Sequence, residues 1–158
     1  MSMDKASFIA EFNAGRSAWD ALLASLDAAH AELSNAEGAL SIKDLIAHVT
    51  WYEREMVELI ESHTLAGSEL WARLTNERNA LIYEQNRMRL AAEVVAEARE
   101  VGARLRADID GLMEEDLCHA ERFSNMPHDW LPWQVIAGNT YDHYPAHIAS
   151  IQKRLAKA

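Results

Sequence analysis

An all-α fold, an antiparallel four-helix bundle with a kinked last helix, is what the amino-acid sequence predicts. Three observations carry that expectation. Glycine (6) and proline (3) are scarce among 158 residues, whereas alanine, leucine and glutamate, all strong helix formers, are abundant. Apolar residues recur at three- and four-residue steps along four long stretches. Runs of alternating β-branched residues, the mark of strands, are absent. The length and a hydrophobic fraction of 49% suit one domain, residues 1–158, able to bury a core without staples.

The first helix is expected from about Asp4 to about Leu33. Phe8, Phe12, Trp19, Leu22 and Leu26 make one face, with Ile9 and Leu23 beside it. Ser34-Asn35-Ala36-Glu37-Gly38 reads as a polar turn. The second helix opens at Ser41-Ile42-Lys43-Asp44, a hydroxyl cap three residues before a carboxylate. Its stripe is Ile42, Leu45, Val49, Tyr52, Met56 and Leu59, and it should end near His63. The third helix is expected from about Thr75 to about Leu112, with Leu90, Val94, Ala98, Val101, Leu105, Ile109 and Leu112 facing the core. Traced backwards, the same face becomes Asn86, Tyr83, Asn79 and Asn76. Asparagine is costly when buried without a partner. That end therefore either protrudes into water or lines a polar cavity. A connection from Met113 to Asp129 contains one acidic turn, Glu114-Glu115-Asp116-Leu117. The fourth helix is expected from Leu131 to Leu155, with a kink at Pro145, where a backbone hydrogen bond is lost.

The formal charge of −10 repels phosphate backbones and anionic bilayers, so no nucleic-acid partner and no membrane partner are expected. Cys118 is the only cysteine, which suits a reducing compartment. Met1-Ser2-Met3-Asp4-Lys5 shows no signal-peptide pattern, and no apolar run is long enough to span a bilayer. A cytoplasmic location is the resulting expectation.

The chemistry-bearing pattern is a set of histidines. His143 and His147, spaced i, i+4, share one helix face, so both rings can reach one ion. His48, at the core-facing edge of the second helix, supplies a third nitrogen. Three imidazoles with water in the remaining positions form an open site of the catalytic kind, with nitrogen–metal distances of about 2.0–2.1 Å for zinc. The pattern has a plain alternative, since H-x-x-x-H is also common on helix surfaces. Asn79, Tyr83, Asn86 and Asn139 are pocket candidates. Asp142 and Glu53 are candidate acceptors for the far ring nitrogens of the ligands, and Arg87 is a candidate partner for a substrate carboxylate. Trp130 and Trp133 are candidates to cover the mouth of the bundle, and Cys118 has no basic neighbour to activate it.

Ser41-Ile42-Lys43-Asp44-Leu45-Ile46-Ala47-His48 resembles the start of the second helix in the DinB/YfiT-like superfamily. Asn139-Thr140-Tyr141-Asp142-His143-Tyr144-Pro145-Ala146-His147-Ile148 resembles its closing helix with paired histidines. Asn79-Ala80-Leu81-Ile82-Tyr83-Glu84-Gln85-Asn86-Arg87 and the acidic turn after the third helix are similar to the ClbS/DfsB branch. The resemblance implies a four-helix bundle and a three-histidine site for nickel, zinc or another divalent ion, mapped to His48, His143 and His147. It also implies homodimers and activities of the thiol-transferase or isomerase kind. In the ClbS/DfsB branch it implies a small-molecule binding or self-protection role.

Two function classes stay open at this point. One is a metal-dependent hydrolase or thiol transferase acting on a small electrophile. The other is a small-molecule binding or self-protection protein in which the histidines are pocket walls and no metal is required. A helical interaction protein without pocket chemistry is the plainest remaining alternative.

Overall fold

A computed structural model of the protein describes residues 3–33 and 40–157. The turn expected at Ser34-Asn35-Ala36-Glu37-Gly38 lies outside the described residues. Among those described the fold is all α. The helices are α1 (Lys5–Ser25), α2 (Ala28–Ala31), α3 (Ile42–Ser62), α4 (Thr75–Asn86), α5 (Ala91–Gly111), α6 (Glu114–Cys118), α7 (Pro132–Gly138) and α8 (Tyr144–Ala156). The only extended pairing described is a single bridge between Thr64 and Ser124. The four long segments α1, α3, α5 and α8 make the bundle. Both α1 and α3 pack against α5 and α8, so α1 and α3 occupy opposite corners.

Local chemistry explains where these helices begin and where the expected long ones break. Asp4 caps α1 by accepting from the Ser7 N–H. Ser41 and Asp44 close the reciprocal capping box on α3, as their spacing predicts. The first helix stops at Ser25 rather than Leu33. There Leu26 turns extended, and the Asp27 side chain caps α2 through the His30 N–H.

The third helix is not continuous. It breaks at residues 87–90 between α4 and α5, and Leu90, expected in the core, is 66% exposed in an extended conformation. Lys43 compensates the break: its buried ammonium donates to the carbonyls of Arg87 (2.8 Å) and Arg89 (3.0 Å), two acceptors a helix would have paired. The last helix does bend, but as a break over residues 139–143. Pro145 sits in the first turn of α8, where its missing N–H costs nothing.

The interior has one cluster around Phe8, Phe12, Leu59, Leu105, Ile109 and Ile136. A second surrounds Trp19, Leu23, Ile46, Val94, Tyr144 and Ile151. Between α1, α3 and α8 lies a buried charge network that periodicity did not single out. Arg16 (1% exposed) falls on the α1 stripe one turn after Phe12 and pairs with Glu53, which is 0% exposed. The same carboxylate oxygen accepts from the Tyr144 hydroxyl at 2.8 Å. Arg16 also donates to the Ala98 carbonyl (3.0 Å) and to Asp20 (2.9 Å). Gly102 makes the room, since a Cβ there would lie 1.9 Å from a guanidinium nitrogen.

Candidate metal centre

Helix α3 carries His48 one turn after Asp44. His143 is the residue preceding α8, and its right-handed helical conformation keeps His147 one turn away on the same face. The three rings converge. Nε2 of His143 lies 3.3 Å from Nε2 of His48 and 3.0 Å from Nε2 of His147. One nitrogen from each ring falls within 4.8 Å of the others. A tetrahedral ion with nitrogen ligands at about 2.0–2.1 Å spaces them about 3.3 Å apart, so the donor set fits a first-row divalent ion.

Burial, reinforced by the neighbouring imidazoles and by Arg78, pushes His48 down to about 3. Burial and then His147 push His143 down to about 4, and burial lowers His147 as well. All three are therefore neutral near pH 7 and offer lone pairs, the form that ligation requires.

Tyr52 holds the rings from one side, with its centroid 5.0 Å from both His48 and His143. Its hydroxyl donates to Asn79 Oδ1 (2.8 Å) and accepts from Arg78 Nε (3.0 Å). The rings open on a cavity of about 280 Å³ whose polar lining also includes Asp44, Asn79 and Tyr83. This answers the question posed by the polar face of the third helix. Asn76 is exposed, Asn79 and Tyr83 line the cavity, and Asn86 is buried, donating to the Ile82 carbonyl.

Several expected residues stand elsewhere. Asn86 does not line this cavity, and Asn139 lines a different one. Glu53 serves the Arg16 network and Asp142 is exposed, so neither accepts from a histidine. The buried Nδ1 of His143 accordingly has no partner among the described residues. Arg87 pairs with Glu84 on the surface at 3.0 Å. Cys118 contacts the Met3 carbonyl at 3.4 Å. Trp130 stands 45% exposed at the rim of the second cavity.

One residue escaped the sequence reading. Asp44, which the sequence marks as part of the helix cap, precedes His48 by four residues and so shares its face. One oxygen accepts from the Ser41 N–H at 2.9 Å, and the other, buried and without a hydrogen bond among the described residues, lies 4.0 Å from the Lys43 ammonium.

No family model matches the chain, and no curated protein matches it in sequence. Solved structures do match. A protein from Streptococcus pneumoniae superposes with a TM-score of 0.78 at 16% identity, covering 97% of this chain and 91% of its own. DfsB, described as a sibling lethal factor precursor, gives 0.79 at 16% identity, covering 99% and 98%. The colibactin self-resistance protein ClbS, in complex with a dsDNA, gives 0.75 at 14% identity, covering 96% and 95%. The chain thus has the helical fold of ClbS and DfsB, as its motifs implied.

The ClbS complex overturns the expectation of no nucleic-acid partner, because a protein of this fold is found with DNA. The physical reason is one of range. Phosphates respond to charge within about a Debye length, roughly 8 Å in physiological salt. A net charge summed over the whole surface does not decide what one face binds. Regarding membranes, no helix among the described residues is long and apolar enough to cross one.

Proposed function

We propose that His48, His143 and His147 hold a divalent ion, nickel or zinc by donor type, and that the adjoining cavity receives a small electrophile for hydrolysis or thiol transfer. The observation that carries this reading is the position of Nε2 of His143, which faces two ring nitrogens at once. A neutral imidazole nitrogen offers either one N–H or one lone pair, so it can satisfy only one of them. A shared cation removes the conflict by taking a lone pair from each ring. In the alternative, with histidines as mere pocket walls, the conflict stays.

A bound ion supplies Lewis acidity, which polarises a carbonyl or eases deprotonation of water or a thiol. The chain supplies the rest. Asn79 has its oxygen engaged by Tyr52 and keeps its amide nitrogen as a donor for substrate. Asp44 contributes a cavity-lining carboxylate oxygen that has no hydrogen bond among the described residues and lies 4.0 Å from the Lys43 ammonium, placed to accept a hydrogen bond from substrate. Elemental analysis of untagged protein tests the reading. About one ion per chain, lost in the His143→Ala/His147→Ala double variant, is expected. Wild-type protein that stays empty after loading with nickel and zinc removes it.

A second reading is favoured by the complex of ClbS with a dsDNA, namely that this chain also meets duplex DNA. Lys153, exposed in the last turn of α8, is one positive charge available to a phosphate, whereas its neighbour Arg154 donates to the Leu40 carbonyl. Anisotropy of a labelled duplex tests it: binding that weakens steeply with salt is expected, and none at low salt discards the reading.

A further inference from the structure

We propose that a second cavity, walled by α3, α7 and the segment after α3, binds an apolar organic cation. It holds about 560 Å³, within the range of small-molecule sites, and none of the three histidines lines it. Met56 and Leu59, both buried, form its floor. Leu65, Trp71 and Val135 form the walls, and Trp130 stands at the rim.

The charge preference comes from Glu55. Its carboxylate is half-buried at the cavity edge and accepts one backbone N–H, that of Ser68, shared between its two oxygens at 3.2 and 3.1 Å. It has no ion-pair partner among the described residues. The nearby arginines are committed elsewhere, Arg54 to Glu97 and Arg104 to Glu61. A carboxylate offers about four acceptor sites, and here most are unused beside an apolar volume. Tryptophan faces attract cations. Arg78 already lies over Trp71, 4.7 Å from the ring centroid, which leaves Trp130 as the free indole.

The cavity is preformed. Leu65 and Ser124 are tied by backbone bonds of 2.8 Å, as are Ser124 and His63. Gly67, at φ +55°, lets the chain lie against Glu55 and Trp71, because a Cβ there would be 2.9 Å from both.

Calorimetric titration with 1-naphthylmethylammonium and with neutral 1-naphthalenemethanol tests the assignment. The expected result is saturable binding of one cation per chain, about tenfold tighter than the alcohol. Glu55→Gln, which keeps an acceptor for Ser68, should close that gap. Val135→Trp should abolish binding of both probes while far-UV circular dichroism and metal content stay unchanged. Should that variant misfold, Trp130→Ala, a truncation at the rim, should weaken the cation several-fold. Equal affinity for cation and alcohol overturns the charge assignment. Absence of saturable binding, or binding that Val135→Trp or Trp130→Ala leaves undiminished, overturns the site.

Discussion

Three imidazoles crowded into a half-buried space resist protonation, because each added charge would be poorly hydrated and would repel its neighbours. Burial first, and the adjacent rings second, push His48 down to about 3 and His143 down to about 4, from an ordinary value of 6.5. In the unfolded chain both rings take protons near 6.5, whereas in the native chain they do not. The native state thus binds fewer protons below that pH. The stability they contribute is intact above about pH 6.5 and drains as the pH falls toward the folded values. The slope is at most about 1.4 kcal/mol per pH unit for each ring. Metal-free protein should therefore lose urea resistance between about pH 7 and about pH 5. His48→Gln should lose it less steeply. Parallel pH profiles for the two proteins would show that the rings protonate freely in the native state, against this account. Asp44 permits a second test at the same scale. Asp44→Asn keeps an acceptor for the Ser41 N–H, so its stability should stay within about 1 kcal/mol of wild type. Turnover of an electrophile by metal-loaded protein should still fall. Unchanged turnover would reduce Asp44 to a cap.

Between elements, the decisive contacts are polar groups placed where a helix stops or where two helices meet. Lys43 holds the α4–α5 break through two carbonyls. Lys43→Met leaves both acceptors without their donor, a loss of about 1–3 kcal/mol. Amides from about 87 to 94 should then exchange faster with solvent, while those in the middle of α5 keep their protection. Uniform exchange would show that the lysine does not govern the break. Arg16 ties α1 to α3, and through Glu53 to Tyr144 at the head of α8. Burial pushes Glu53 up against the pull of Arg16, so the carboxylate depends on its cation. Arg16→Met strands a buried carboxylate and should lower unfolding free energy by about 3–5 kcal/mol, read from the urea midpoint. A loss below about 1 kcal/mol would mean the network is incidental.

These same elements explain what could be read from sequence. Stripes such as Phe8, Phe12 and Trp19 were legible because burial follows helical period. The cap at Ser41 was legible because its chemistry is local. The break after Asn86 was hidden, since it depends on a lysine 44 residues away in sequence. Arg16 was hidden because its partner is 37 residues away on another helix. At the candidate site, the histidine spacing was readable along α8. The fate of Asn139 depended on a turn over residues 139–143 that the pattern smoothed into one helix.

At the scale of the whole molecule, the three histidines come from two elements that the covalent chain joins through α4, α5, α6 and α7. His48 belongs to α3, while His143 and His147 belong to the head of α8. An ion shared among them would act as a cross-link between two walls of the bundle, and a ligand that binds only the folded chain stabilises it by mass action. With free ion at about a hundred times its dissociation constant, the gain is about 2.7 kcal/mol. For a chain of 158 residues, each kcal/mol raises the melting temperature by about 2–4 °C, so a shift on the order of 5–10 °C is expected. The shift should grow with the logarithm of ion concentration, as linkage requires, and should disappear in His48→Ala, which removes the α3 ligand and leaves the α8 pair intact. That comparison separates a cross-link from simple binding at the i, i+4 pair. If His48→Ala keeps most of the shift, the ion sits on α8 alone, and α3 only shapes the cavity. If neither protein shifts with zinc or nickel, the convergence of the rings is a packing arrangement and the metal reading falls with it.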